Sequence, residues 1–143
     1  VLMPYLPGPE YSVDMVVSQG TVLAAIGRRK EGVLQYLENE GEAIELAINC
    51  ARLMNADGMV NVQTRHNAEG KPLLLEINMR PSGGIGYTRY SGVNLPGLYA
   101  FHTLGLMDDD QVRQSAKTDF SPAVVRSVTD VILYPASLTN RID

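Results

Sequence analysis

Alternation of side-chain character over residues 10 to 17 is the feature that most constrains what this chain can fold into. In Glu-Tyr-Ser-Val-Asp-Met-Val-Val, residues Tyr11, Val13, Met15 and Val17 share one face, while Glu10, Ser12 and Asp14 share the other. A period of two fits a half-buried strand and excludes an amphipathic helix. Ser18-Gln19-Gly20 supplies turn residues, and Thr21 to Ile26 is rich in β-branched and aliphatic side chains. The two runs therefore predict an antiparallel hairpin, which Gly27 ends. Arg28-Arg29-Lys30 follows as a run of positive charge, and Glu31 to Asn39 reads as a polar, solvated connection.

Between Glu42 and Asn55 the period changes. Ile44, Ala47, Ile48 and Ala51, flanked by Leu46, Cys50, Leu53 and Met54, recur at helical spacing among strong helix formers. Asn55-Ala-Asp-Gly58 stops that helix, Met59 to Arg65 alternates again, Asn67-Ala-Glu-Gly70 turns, and Leu73 to Asn78 returns as a strand. A Gly-rich loop from Pro81 to Gly86 precedes a helix over Leu95 to Leu106, expected to pack on the sheet through Leu95, Leu98, Phe101, His102 and the run Leu104 to Leu106. Asp108-Asp-Asp110 is placed to cap a short helix reaching about Lys117, and Val124 to Leu133 reads as a last strand. The expected class is α+β: an antiparallel sheet with helices on one face and no internal repeat.

Composition narrows the function classes. The 143 residues are 45% hydrophobic, enough for one core. No run approaches the ~18 to 20 apolar residues of a membrane span. Nor does the N-terminus carry the basic flank and cleavage site of a secretory signal, so an intracellular, cytoplasmic protein is expected. A lone cysteine, Cys50, excludes an internal disulfide or a Cys-rich metal site. Twelve Lys plus Arg against sixteen Asp plus Glu supply no basic field for nucleic acid, so any anionic ligand must be bound locally. His66 reads as a turn residue and His102 as a helix residue, neither in ligand-type company. The chain opens on Val-Leu-Met-Pro with no initiator methionine, which leads us to expect a portion of something longer.

The second hairpin carries the chemistry. Alternation places Asn61, Gln63 and Arg65 on one face of its first strand, and Leu74, Glu76 and Asn78 on one face of its second. With the tight turn at Glu69-Gly70, Gln63 falls opposite Glu76 and Asn61 opposite Asn78. Directly opposed side chains lie within about 5 Å at Cβ, so oxygen donors from Gln63, Glu76 and Asn78 can converge on one point. Such donors with one carboxylate suit Mg²⁺, which borrows its remaining ligands from water and nucleotide phosphates. Arg80, two residues on, offers a guanidinium fork for a phosphoryl oxygen. The same pattern also describes the solvated side of an antiparallel sheet. Against that stand two carboxamides and the run Leu73-Leu74-Leu75, apolar on both faces, which leads us to expect a strand covered on both sides.

Leu6-Pro-Gly-Pro-Glu-Tyr-Ser-Val-Asp14, Asn61-Val-Gln63 and Leu74-Leu-Glu-Ile-Asn-Met-Arg-Pro-Ser-Gly-Gly84, in that order, resemble the C-terminal lobe of an ATP-grasp enzyme from Leu2 to about Leu106. The pattern is similar to the ATP-grasp domains of the carbamoyl-phosphate synthase large chain. Its Arg-Pro-Ser-Gly-Gly ending is also similar to ATP-grasp proteins of tellurite-resistance gene neighbourhoods. The resemblance implies that Gln63, Glu76 and Asn78 bind Mg²⁺ (or Mn²⁺), with Glu76 bridging two ions, and that Arg80 steadies the transferred phosphoryl group of ATP. It implies that Glu10 takes the ribose hydroxyls and that the backbone at Tyr5 and Leu6 meets the adenine. Ser82, Gly83 and Gly84 would border the acceptor pocket, and Arg28 would reach the phosphates or the acceptor. Pro4 stands close to where the family usually has an acidic residue, and Met79 where proline is commoner. Gly83-Gly84-Ile85-Gly86 is not a dinucleotide fingerprint, because Arg89 occupies the place of its third glycine.

On this resemblance residues 1–106 form the lobe and 107–143 a helix-and-strand extension of the same domain. The implied activity is ATP-dependent ligation of a small-molecule carboxylate to an amine or thiol through an acyl phosphate. A smaller lobe with a phosphate-binding lysine would precede Val1, so these residues alone are expected to be inactive. The surface that lobe would cover leaves self-association open. The alternatives are a non-catalytic nucleotide-binding or assembly module, and a structural antiparallel domain with no ligand.

Overall fold

The alternating run becomes strand β1, Glu10–Ser18, and returns as β2, Thr21–Glu31, in a computed structural model that describes residues 4–119 and 121–125. Gln19 and Gly20 turn the chain with φ of 46° and 78°, the positive values a two-residue hairpin loop demands. Strand β2 does not end at Gly27. It runs through Arg28-Arg29-Lys30, and residues 34–38 of the expected polar connection form β3, Leu34–Glu38, antiparallel to it. Alternation explains the difference: successive cations point to opposite faces, and each has a counter-charge there. Arg28 meets Asp14 on one face, Arg29 donates to Glu38 on the other, and Lys30 returns to the first to pair with Glu10.

Strands β4, Gly58–His66, and β5, Pro72–Asn78, complete the second hairpin, and β6, Ala123–Val125, pairs with β3. The sheet runs β5-β4-β1-β2-β3-β6 with antiparallel neighbours throughout. Of the expected last strand, the part beyond residue 125 lies outside the described residues.

Each face of the sheet has its own cover. Helix α1, Glu42–Leu53, lays Ile44, Ala47 and Ala51 on Val13, Met15, Val17, Val60 and Val62. Gly27 admits it, since a Cβ there would stand 2.9 Å from Ile44 Cδ1. On the opposite face a 3-10 helix, Ile85–Ser91, with α2, Leu95–Thr103, and α3, Asp109–Ser115, packs Leu95, Leu98 and Val112 on Val16, Ala24, Ile26 and Met59. The α+β class and antiparallel sheet are as expected, but the helices divide between the two faces. Burying each of these aliphatic side chains contributes roughly 1.5–3 kcal/mol, so both clusters add to the stability of the sheet between them.

Helix α2 stops short of the expected Leu106, and Phe101, Leu104 and Leu106 are exposed. Gly105 explains this: its φ of 69° breaks the helical path. Helix α3 starts as expected on a capping box, in which Asp108 Oδ1 accepts from the Gln111 N–H at 2.8 Å and Gln111 Oε1 from the Asp108 N–H at 2.9 Å. Strand β5 is an edge strand whose Leu73 and Leu74 are 40% and 43% exposed, so the expected cover on both faces is absent among the described residues. Cys50 is half-buried in α1, and burial pushes its thiol up from the usual range. Among the described residues no helix is long and apolar enough to cross a membrane.

Candidate functional site

Strand pairing sorts the face away from α1 into cross-strand rows. Val16, Ala24 and Met59 form an apolar row under the helices. The next row is Ile26, Asp14, Asn61 and Asn78, followed by Arg28, Ser12, Gln63 and Glu76, and then by Lys30, Glu10 and Arg65 at the open end. The face thus passes from core to solvent through two rows of polar side chains.

The expected pairing of Gln63 with Glu76 and of Asn61 with Asn78 is present. Its cause differs from the one the turn suggested. Asn67 and Lys71 close a wider turn through the Asn67 N–H to Lys71 carbonyl bond at 2.9 Å, and Asn67 Oδ1 accepts the Lys71 N–H at 2.8 Å. That loop alone would pair Thr64 with Leu74, Arg65 with Leu73 and His66 with Pro72, as it does. A bulge at Leu75 then shifts the register by one and delivers Glu76 to Gln63. Leu74 consequently falls opposite Thr64, on the face of Val62, and does not share a face with Glu76 as simple alternation predicted.

Glu76 is exposed, with Oε1 accepting from Asn78 Nδ2 at 2.8 Å. Arg80 is exposed too and donates to the Pro81 carbonyl at 3.1 Å. Among the described residues neither Glu76 nor Arg80 belongs to an ion pair. Gln63 is half-buried between them and the interior. Deeper in, Asn61 is 1% exposed, and its amide donates to Ser12 Oγ at 3.0 Å, leaving its own Oδ1 buried with no donor. A buried carbonyl oxygen without a partner is costly, and this one is in the row of Asn78.

Beneath the loop after Arg80 lies a buried ionic cluster. Asp14 is fully buried, its Oδ1 accepting the Ser82 N–H at 2.9 Å and its Oδ2 the Ser82 O–H at 2.6 Å. Arg28 Nη2 sits 3.5 Å from Asp14 Oδ2 and donates to Ser12 Oγ and Ser82 Oγ, each at 2.8 Å, while Nη1 donates to Gln35 Oε1 at 2.7 Å. Neither Arg28 nor Ser82 is open to solvent: Nη1 and Nη2 of Arg28 and the N–H and O–H of Ser82 are engaged within the protein, while Arg28 Nε is buried without a partner. Asp14, Ser12, Asn61 and Gln35 were not singled out as site residues in the sequence. The available signal was Asp14 itself, a carboxylate between Val13 and Met15 whose next neighbour on its own face is Val16.

The remaining expected residues border these rows. Glu10 pairs with Lys30 at the open end. Tyr5 is exposed and Leu6 buried, on a segment tied to the end of β4 by the Gly8 N–H to His66 carbonyl bond at 3.0 Å and by Arg65 Nε on the Gly8 carbonyl at 3.1 Å. Only glycine fits at position 8, where a Cβ would stand 2.6 Å from His66 Cβ. Gly83 and Gly84 line a surface depression with Gly86, Tyr87, Arg89 and Tyr90. His102 Nε2 contacts Asp109 Oδ1 at 2.8 Å, remote from these rows in the sheet.

A family model described as "ATP-grasp in the biosynthetic pathway with Ter operon" matches residues 1–131. The chain belongs to the ATP-grasp family. Among solved structures it is similar to the L-amino acid ligase from Bacillus licheniformis, with a TM-score of 0.60 and 16% identity over 83% of this chain and 35% of that one. It is also similar to a biotin carboxylase complex from Campylobacter jejuni, with a TM-score of 0.50 and 13% identity over 78% of this chain and 26% of that one. At such identities the likeness is one of fold, and this chain spans about a third and a quarter of those two. No match was found among the curated proteins.

Within this ATP-grasp sheet the donor set decides which ion the exposed rows suit. No group of three or more His, Cys, Asp or Glu side chains among the described residues is placed to hold a metal. With Asp14 and Glu10 taken up in ion pairs, the polar rows instead offer carboxamide oxygens and the one carboxylate of Glu76, a hard set that suits Mg²⁺ or Mn²⁺ completed by water and phosphate and disfavours zinc. Among the described residues Glu76 and Arg80 are exposed charges without an ion-pair partner at and just beyond the edge strand of the ATP-grasp sheet.

Proposed function

We propose that this chain is the Mg²⁺ATP-binding catalytic portion of an ATP-grasp ligase that joins a small-molecule carboxylate to an amine or thiol through an acyl phosphate. The observation that carries the proposal is the cross-strand pairing of Gln63 with Glu76 next to that of Asn61 with Asn78. Gln63, Glu76 and Asn78 are the residues that would hold the metal, and bound Mg²⁺ would draw charge from the phosphoryl group in transfer. Arg80 binds that same group with a fork matched to its oxygens. Glu10, on the same face two rows from Asp14, accepts from the ribose hydroxyls, and the backbone at Tyr5 and Leu6 flanks the adenine. The loop at Gly83 and Gly84 borders the acceptor. The second lobe of the nucleotide clamp, and any partner copy, belong to the complete protein.

Calorimetric titration of the complete protein with Mg²⁺ADP, beside Glu76→Ala and a magnesium-chelated sample, tests the assignment. Heat that requires both magnesium and Glu76, together with loss of ATP turnover in Glu76→Gln, is the expected result. Nucleotide binding that persists without either would refute the metal site. Metal-dependent binding with no turnover in the presence of carboxylate and amine donors would instead mark a non-catalytic module.

A further inference from the structure

The buried cluster fastens the loop that carries the phosphoryl contact. Asn78 ends β5 at the sheet edge, yet Ser82, four residues on, is bonded to β1. In that span the chain leaves the edge strand and crosses β4, and Ser82 is where it is anchored. Asp14 takes both the N–H and the O–H of Ser82, so the serine is fixed in position and rotamer at once. Arg28 completes the anchor from below and is itself held by Ser12 and Gln35. Gly84 lies directly over its guanidinium: a Cβ would stand 2.4 Å from Arg28 Nη1 and 2.6 Å from Cζ. The φ of Gly84 is −100°, open to any residue, so a side chain is excluded there by space alone.

We infer that Asp14, Arg28 and Ser82 are positioning residues that hold the 80–84 loop, and through it Arg80, in register with the rows that bear Gln63 and Glu76. The inference rests on the proposed function, in which Arg80 meets the phosphoryl group. Because all three residues bond to protein groups, their effect travels through the loop backbone. A nucleotide seated on β1, β4 and β5 keeps its contacts when the anchor loosens, whereas the group in transfer loses a placed cation. Misplacement by about 1 Å is enough to cost roughly 10²-fold in a reacting geometry.

The test compares affinity for Mg²⁺ADP alone with affinity for Mg²⁺ADP plus aluminium fluoride, which occupies the place of the phosphoryl group in transfer. The complete protein is used, with Ser82→Ala, Gly84→Ala and the rescue variant Ser82→Thr. The unsubstituted protein binds more tightly when aluminium fluoride is added. Ser82→Ala and Gly84→Ala are expected to bind Mg²⁺ADP within about twofold of it but to lose about tenfold or more of that tightening, the scale of a lost charged hydrogen bond. Ser82→Thr, which keeps the N–H and O–H, is expected to restore it. Unchanged tightening in both variants overturns the inference and leaves the proposed function standing. A parallel fall in Mg²⁺ADP affinity also overturns it, since the cluster would then only support the sheet. Failure of the unsubstituted protein to bind Mg²⁺ADP, or to bind it more tightly with aluminium fluoride, removes the proposed function first and this inference with it.

Discussion

Replacing Asp14 by alanine isolates the energetics of the buried cluster. Asp14 has no exposed surface, and the Arg28 side chain, 3.5 Å away, is 4% exposed. The substitution leaves that guanidinium without a counter-ion in a buried site and strips acceptors from the Ser82 N–H and O–H. Removing one partner of such a pair costs about 3–5 kcal/mol, because the surviving charge stays desolvated. The hydrogen bonds lost are part of that figure, since they belong to the same network. In a domain of this length the cost corresponds to a fall in Tm on the order of 10 °C or more. Urea unfolding of the wild type, Asp14→Ala, Asp14→Leu, Arg28→Met and the double variant Asp14→Leu/Arg28→Met checks it, with equal m values across the set. The double variant should regain at least half the loss, since an apolar pair of similar volume carries no stranded charge. A cost below about 1 kcal/mol for Asp14→Ala, or full additivity in the double variant, would refute the account.

Two other substitutions probe the margins of the fold. Burial, the charge of Glu38 and a hydrogen bond to it push the Tyr11 hydroxyl up to about 12, against the opposing pull of Arg29. The folded chain thus holds that proton more tightly than the unfolded one. Its contribution to stability is whole below pH 10 and is lost as pH rises towards 12, so in alkaline unfolding Tyr11→Phe should flatten that limb of the curve. Asp108→Ala removes the side-chain acceptor of the Gln111 N–H at the start of α3, leaves the backbone N–H that Gln111 Oε1 accepts, and should cost roughly 1 kcal/mol, read as faster amide exchange at Gln111 and Val112.

Local patterns made most of the strands and helices legible. Period-two alternation in β1 and β4, the helical spacing of α1 and the acidic cap of α3 are local signals, and each element stands within a few residues of its expected place. Strand β3 was invisible because Gln35, Tyr36 and Glu38 look like loop residues until their partners on β2 are known. The position of β5 at the sheet edge was equally unreadable, since Leu73-Leu74-Leu75 has the composition of a covered strand. The pairing of Gln63 with Glu76 was legible from strand spacing, although a tight turn was credited with what a wider loop and a bulge achieve. The cluster around Asp14 could not be read, because it joins residues up to 68 positions apart. Arg28 and Ser82 were singled out, but for contact with phosphates or acceptor, and Asp14 stood out only as a carboxylate amid apolar neighbours.

The bulge at Leu75 separates the length of the hairpin loop from the geometry of the site. A one-residue slip between strands normally swaps every side chain to the other face. Here an unpaired residue already lies between the 67–71 loop and Glu76, and it can be taken up or given out without moving the pairing of Gln63 with Glu76. A one-residue deletion in the loop is expected to be absorbed at this bulge before it reaches the polar rows, with the pairing of Gln63 with Glu76 kept. A library of hairpin variants built on this scaffold can therefore vary the loop and leave the residues beyond the bulge in register.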